Sequence, residues 1–93
     1  MREERVHLII RGHVQGVFYR ASTRETALRL GLKGWVRNLP NGDVEAVFQG
    51  PEEQLQKAID WCWEGPPGAT VTKIDQKWDD CPGEFSGFEV RYS

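Results

Sequence analysis

The chain has 93 residues, enough for one domain with a single core, and its formal net charge is −2. This charge gives no global basic field, which argues against nucleic acid or an anionic membrane as the main partner. It has no apolar run of the roughly 20 residues that a membrane span needs, no signal-peptide h-region, and only two cysteines. We therefore expect a single cytoplasmic domain over residues 1–93.

The first part of the chain alternates between strand and helix patterns. Residues 6–11 alternate between apolar and polar side chains, which predicts a strand with one buried face. A loop bracketed by Gly12 and Gly16 follows. The apolar residues of 21–30, including Leu28, predict a helix that ends at the next glycine. Residues 34–39 then predict a second strand.

The second part of the chain predicts a hairpin, a helix and two more strands. Pro40-Asn41-Gly42 favours a tight turn into a third strand over residues 44–48. Gly50-Pro51-Glu52-Glu53 favours a helix start, since proline is tolerated at the first position and acids suit the positive helix end. The remaining strands are predicted at about 70–79 and 85–92.

This order is the split βαβ pattern (βαββαβ) of a ferredoxin-like α/β sandwich of the α+β class. It implies an antiparallel sheet with two helices on one face and an extra C-terminal strand. Right-handed crossovers place the third strand between the first and second, so the ends of those two strands lie about 10 Å apart. That gap can hold one small substrate. The same topology places Cys62 and Cys81 at opposite edges, so we expect no disulfide between them.

The loop 12–20, here called the cradle loop, has the features of an anion site. It joins a strand end to a helix start, where unpaired N–H groups and the helix dipole favour an anion. Its two glycines allow successive N–H groups to converge. Arg20 opens the helix, and its planar guanidinium suits bidentate contact with phosphate. The alternative interpretation is a tight strand–helix turn with a solvated arginine.

Asn38 is the second candidate residue. It has the same strand parity as Val36, so it faces the helices if Val36 does, near the end of the strand. Its amide then points toward the mouth of the cradle loop. The alternative interpretation is an asparagine that satisfies the turn at 40–42.

Two segments resemble the signature motifs of the acylphosphatase family. Residues 14–20, VQGVFYR, resemble V-Q-G-V-x-F-R. Residues 34–44 resemble G-W-V-x-N-x-x-x-G-x-V, and Gly50 matches the glycine that follows six residues later. The resemblance runs from about residue 6 to the C-terminus. Tyr19 departs from the motif, which more often has phenylalanine, and we expect its ring to pack similarly while its hydroxyl finds a partner.

The resemblance implies a hydrolase that cleaves acyl phosphates to a carboxylate and inorganic phosphate, with no metal and no organic cofactor. It implies that Arg20 binds the phosphoryl group and that Asn38 positions the attacking water. The backbone N–H groups that assist are those of Gln15, Gly16, Val17, Phe18, Tyr19 and Arg20. We expect a monomer whose ligands are a small-molecule acyl phosphate and, as product-like ions, inorganic phosphate or sulfate.

The residues near the cradle loop argue against other routes. A phosphoenzyme needs a Cys, His or Asp nucleophile, and the loop offers only His13, which is more simply a solvent-facing strand-end residue. No cluster of His, Cys and Asp has metal-ligand spacing. An acyl phosphate expels a carboxylate whose conjugate acid has a pKa of about 4, so no general acid is required.

Two interpretations without catalysis remain. One is a ferredoxin-like module that binds nucleic acid or protein through aromatic and basic residues on the open sheet face. Trp35 belongs on that face but stands without a basic cluster in the sequence. The other is a regulatory acylphosphatase-like domain that binds an anion without turnover, and the presence of both Arg20 and Asn38 argues against it.

Overall fold

The structure is a computed structural model that describes residues 3–79 and 85–92. In chain order its elements are β1 (Glu3–His13), α1 (Tyr19–Arg29), β2 (Lys33–Asn38), β3 (Val44–Pro51), α2 (Glu52–Glu64), β4 (Thr70–Asp79) and β5 (Phe88–Arg91). This order confirms the predicted βαββαβ arrangement with an additional C-terminal strand. Within these described ranges, no helix is long and apolar enough to cross a membrane.

The strands form one sheet in the order β4-β1-β3-β2-β5. As predicted, β3 lies between β1 and β2 and is antiparallel to both. Ile10 near the end of β1 and Asn38 at the end of β2 both pair with Val44, so these two strand ends lie at one edge of the sheet. The antiparallel arrangement extends to β4, whereas β5 joins the sheet parallel to β2. The C-terminal strand therefore ends at the same edge as β1 and β2.

The core lies between one sheet face and the two helices. Alternate residues of the central strands are fully buried, which confirms the period-two pattern read for β1 and β3. The strand side chains with no exposed surface are Val6, Leu8, Ile10, Val36, Val44, Ala46 and Phe48. The helix α2 covers them with a stripe of Leu55, Ala58, Ile59 and Cys62. These contacts fix the sheet edge at which β1 and β2 end.

The helix α1 differs from the prediction at its start and in its buried face. It begins at Tyr19 rather than Ala21, and Leu28 is half-exposed. The residues it buries are Tyr19, Thr23, Thr26 and Ala27. Thr23 can be buried because its hydroxyl donates to the Tyr19 carbonyl at 2.7 Å. A pattern search for apolar residues misses this face because half of it is threonine.

Trp35 lies beside basic residues on the outer face of the sheet, contrary to the interpretation from the sequence. The guanidinium carbons of Arg37 and Arg91 lie 5.6 and 4.7 Å from the centroid of the Trp35 ring, so basic residues do surround it. Each guanidinium is matched by a carboxylate, because Arg37 Nε bonds to Glu45 at 2.5 Å and Arg91 Nε to Glu89 at 2.8 Å. Burial acts to raise the pKa of Glu45, but the hydrogen bonds from its partners lower it overall. The two arginines therefore add no unbalanced charge beside the ring.

Candidate active site

A cleft of about 350 Å³ opens at the sheet edge where β1 and β2 end. The structure brings Arg20 and Asn38 together in its lining, with most of the cradle loop. The lining residues are Val14, Gln15, Gly16, Phe18, Tyr19, Arg20, Ala21, Asn38, Val90 and Tyr92. Val17 is the one cradle residue named from the sequence that does not line the cleft, since its side chain packs against the core.

The backbone of the cradle loop is shaped for an anion. Gly16 and Phe18 have left-handed φ values of 77° and 63°. Left-handed residues in such a loop turn successive N–H groups to one side and form an anion-binding concavity. None of the N–H groups of residues 15–20 donates to another residue in the described part of the chain, whereas the N–H of Ser22 bonds to the Phe18 carbonyl at 3.0 Å. These six donors lie in the loop before α1 and in its first residues, a place where backbone N–H groups and the helix dipole favour an anion.

The Gln15 side chain ties the cradle loop to the β2–β3 turn. Its Nε2 donates to the carbonyl oxygens of Leu39 at 2.8 Å and Asp43 at 2.9 Å. The sequence analysis used only the backbone N–H of Gln15 and missed this side-chain role. No local pattern could have found it, because the two acceptors lie 24 and 28 residues away in the chain. The contact holds the loop that carries Arg20 against the turn that follows Asn38.

Asn38 faces the helix side of the sheet with Val36, as its strand parity predicts. Its Oδ1 is buried and has no hydrogen-bond partner within residues 3–79 and 85–92. The turn that follows is held instead by Asn41, whose Oδ1 accepts from the Asp43 N–H at 3.0 Å. The turn-asparagine interpretation thus fits Asn41 and not Asn38. Since buried polar atoms are almost always paired, the Asn38 amide oxygen has an unmet need for a donor.

Residues at the C-terminal end of the chain hold the Arg20 side chain. Its Nη1 donates to the Arg91 carbonyl at 3.3 Å, and its guanidinium carbon lies 4.6 Å from the centroid of the Tyr92 ring. This long hydrogen bond and the ring contact leave most of the five guanidinium N–H groups available. This role could not be predicted from the sequence pattern, which indicates a last strand but not that its end contacts Arg20.

Tyr19 behaves as expected for its place in the first motif. Its ring is buried and packs on Trp61, with ring centroids 5.5 Å apart. Its hydroxyl donates to the Cys62 carbonyl at 2.6 Å, so the partner that the hydroxyl requires is a backbone oxygen of α2. Burial raises the pKa of Tyr19 far above its ordinary value, and the hydroxyl stays protonated. Tyr19 thus fixes the start of α1 against α2.

No His, Cys, Asp or Glu side chain of the described residues lines the cleft. His13 is exposed at the end of β1 and does not line it. Cys62 is fully buried, and burial raises the pKa of its thiol to about 12, which rules it out as a nucleophile. Cys81 lies outside the described residues, so the absence of a disulfide stays a prediction. Within the described ranges, no group of three or more His, Cys, Asp or Glu residues could hold a metal ion.

Comparison with known proteins identifies the family to which the chain belongs. The acylphosphatase family model matches residues 6–90. An acylphosphatase of Pelotomaculum thermopropionicum is 47% identical over 92 residues, which cover 99% of this chain and 100% of that protein. One of Aeropyrum pernix is 54% identical over 89 residues, covering 95% and 88%. The solved structure of an acylphosphatase from Coxiella burnetii has a TM-score of 0.91 at 41% identity, covering 97% and 94%. The chain therefore belongs to the acylphosphatase family.

Proposed function

We propose that the protein hydrolyses acyl phosphates to a carboxylate and inorganic phosphate by direct attack of a water that Asn38 positions. Arg20 and the N–H groups of residues 15–20 hold the phosphoryl group. The observation that carries this proposal is that one cleft contains the Arg20 guanidinium, the unpaired cradle N–H groups and the Asn38 side chain with its unpaired oxygen.

The cradle and Arg20 supply charge stabilisation. The unpaired N–H groups before and at the start of α1 bind the phosphoryl oxygens, and the positive end of the helix dipole adds to their effect. The Arg20 fork neutralises charge on the phosphoryl oxygens through parallel hydrogen bonds. Preorganised donors of this kind are a large source of catalysis in phosphoryl transfer, where positioning and electrostatics dominate.

Asn38 supplies the position of the nucleophile. Its Oδ1 accepts a hydrogen bond from the water, which turns a water oxygen lone pair toward the phosphorus. A neutral amide takes up no proton, so the water proton passes to a phosphoryl oxygen of the substrate. The new O–P bond forms as the bond to the acyl oxygen breaks, and the departing electron pair stays on the carboxylate. This leaving group is stable at neutral pH without a general acid.

We further propose that residues 1–93 act as one cytoplasmic domain and as a monomer, without a metal or an organic cofactor. The net charge of −2 and the matched ion pairs around Trp35 support small-molecule ligands rather than nucleic acid or a membrane.

The direct test of this function is an absorbance assay with benzoyl phosphate, with and without EDTA. We expect hydrolysis at an unchanged rate after chelation and negligible release of phosphate from glycerol phosphate, whose alkoxide leaving group needs an acid. Activity that EDTA abolishes and a divalent ion restores would contradict the proposal. So would equal activity on the alkyl monoester.

Inorganic phosphate should bind the cradle and raise the melting temperature. A ligand present at a hundredfold excess over its Kd adds about 2.7 kcal/mol, which corresponds to roughly 14 °C for a domain of this size. The measurement is thermal unfolding in increasing phosphate at constant ionic strength. Arg20→Ala should remove the shift, and Arg24→Ala, an exposed arginine on the same helix, should keep it. An unmoved melting temperature for the wild type would count against the anion site.

A further inference from the structure

Phe18 carries an aromatic ring that neither folding nor the left-handed backbone of the cradle loop explains. Its φ of 63° is left-handed, a conformation that is costly for a bulky residue and easy for glycine or asparagine. Its side chain is 83% exposed, so the ring gains almost no burial energy. Glycine or asparagine would serve the backbone at position 18 better. Strained residues cluster at functional sites, so the ring itself needs a role.

The location of Phe18 indicates what that role is. In the described part of the chain, the large hydrophobic side chains that are most exposed are Phe18 and Tyr92, each at 83%. Both line the cleft that contains Arg20 and Asn38. The Tyr92 ring also rests against the Arg20 guanidinium, which fixes its place beside the phosphoryl site. Two exposed aromatic rings thus border the position where the phosphoryl group is held.

We propose that Phe18 and Tyr92 form a subsite for the acyl group, and that the preferred substrates are acyl phosphates with an aromatic acyl group. This inference rests on the proposed function. With the phosphoryl group anchored in the cradle, only the acyl group extends from it toward the rims of the cleft. An aromatic acyl group that packs against these rings removes more apolar surface from water than an acetyl group does. Val14 and Val90 continue the apolar lining.

The test compares kcat/KM for benzoyl phosphate and acetyl phosphate. We expect the wild type to prefer benzoyl phosphate by at least about tenfold, which is about 1.4 kcal/mol. Phe18→Asn removes the ring but tolerates the left-handed backbone, and it should lower this preference at least about fivefold. Phe18→Tyr should retain it, because the ring face is unchanged. Trp63→Asn removes a partly exposed ring on α2 that does not line the cleft, and it should leave the preference intact.

Folding does not confound this comparison. Because the Phe18 ring is exposed and its backbone strained, Phe18→Asn should melt at or above the wild-type temperature. A preference unchanged in Phe18→Asn would overturn the acyl subsite while leaving acyl phosphate hydrolysis standing.

Non-hydrolysable ligands separate the subsite from the reaction. By calorimetry, benzylphosphonate should bind the wild type at least about tenfold more tightly than methylphosphonate, and Phe18→Asn should remove the difference. Equal affinities for the two phosphonates, with hydrolysis of benzoyl phosphate intact, would overturn the subsite alone. Hydrolysis of neither acyl phosphate by the wild type would overturn the proposed function and, with it, this inference.

Discussion

Arg20→Ala should lower kcat/KM for an acyl phosphate by about a thousandfold, the upper range for loss of one stabilising donor group. In the proposed mechanism Arg20 meets the phosphoryl charge in both the ground state and the transition state, so KM should rise and kcat should fall together. Arg20→Lys should restore little of the activity, because an ammonium group cannot reproduce the planar fork. Steady-state kinetics give kcat and KM for both variants, and circular dichroism confirms that each is folded.

Arg24→Ala is the matched control for Arg20, since it removes an exposed guanidinium from the same helix. Its kinetic constants should remain close to those of the wild type. An Arg20→Lys variant with most of the wild-type activity would contradict the bidentate role of Arg20. A change confined to KM would show that Arg20 binds substrate and transition state equally.

Asn38→Ala should lower kcat by at least about a hundredfold, or about 2.7 kcal/mol of transition-state stabilisation, because the attacking water loses its position. In the proposed mechanism the Asn38 amide contacts the water rather than the phosphoryl group, so KM and phosphate binding should stay near wild type. Kinetics and phosphate-dependent melting, measured on the same preparation, test both halves of this expectation.

Asn41→Ala is the matched control for Asn38. Asn41 lies three residues further on and holds the turn through the Asp43 N–H. Its replacement should cost about 1 kcal/mol of stability and leave kcat within about threefold of wild type. If Asn38→Ala keeps more than about a tenth of the wild-type kcat, or mainly weakens binding, Asn38 does not position the water.

Local patterns predict the elements well where one face of an element is apolar. Val6, Leu8 and Ile10 alternate in β1, and Leu55, Ala58 and Ile59 form the stripe of α2, so both are visible in the sequence. The start of α1 is not visible in the sequence, because its buried face contains threonines and its first residue, Tyr19, is held by a carbonyl in α2. The parallel pairing of β5 with β2 also depends on a long-range contact that no local period encodes.

The candidate site could also be predicted only in part from the sequence. The placement of β3 between β1 and β2 brings the cradle loop and the end of β2 to one edge, so Arg20 and Asn38 could be placed together from topology. The contacts that hold Arg20 and Asn38 in place could not be predicted from topology. Gln15 bonds across the edge to the β2–β3 turn, and the Arg91 carbonyl accepts from Arg20 over a separation of 71 residues. Such contacts depend on how loops and the last strand end, which sequence periodicity does not describe.

Hydrolysis of benzoyl phosphate in ¹⁸O-labelled water tests the central claim most directly. Attack of a positioned water on phosphorus puts the label into inorganic phosphate and leaves the benzoate unlabelled, because the bond between phosphorus and the acyl oxygen breaks. Mass spectrometry of both products after a single turnover reads the outcome. We expect label in the phosphate alone, because the proposed attack is on phosphorus. Label in the benzoate would mean attack at the carbonyl carbon and would contradict it.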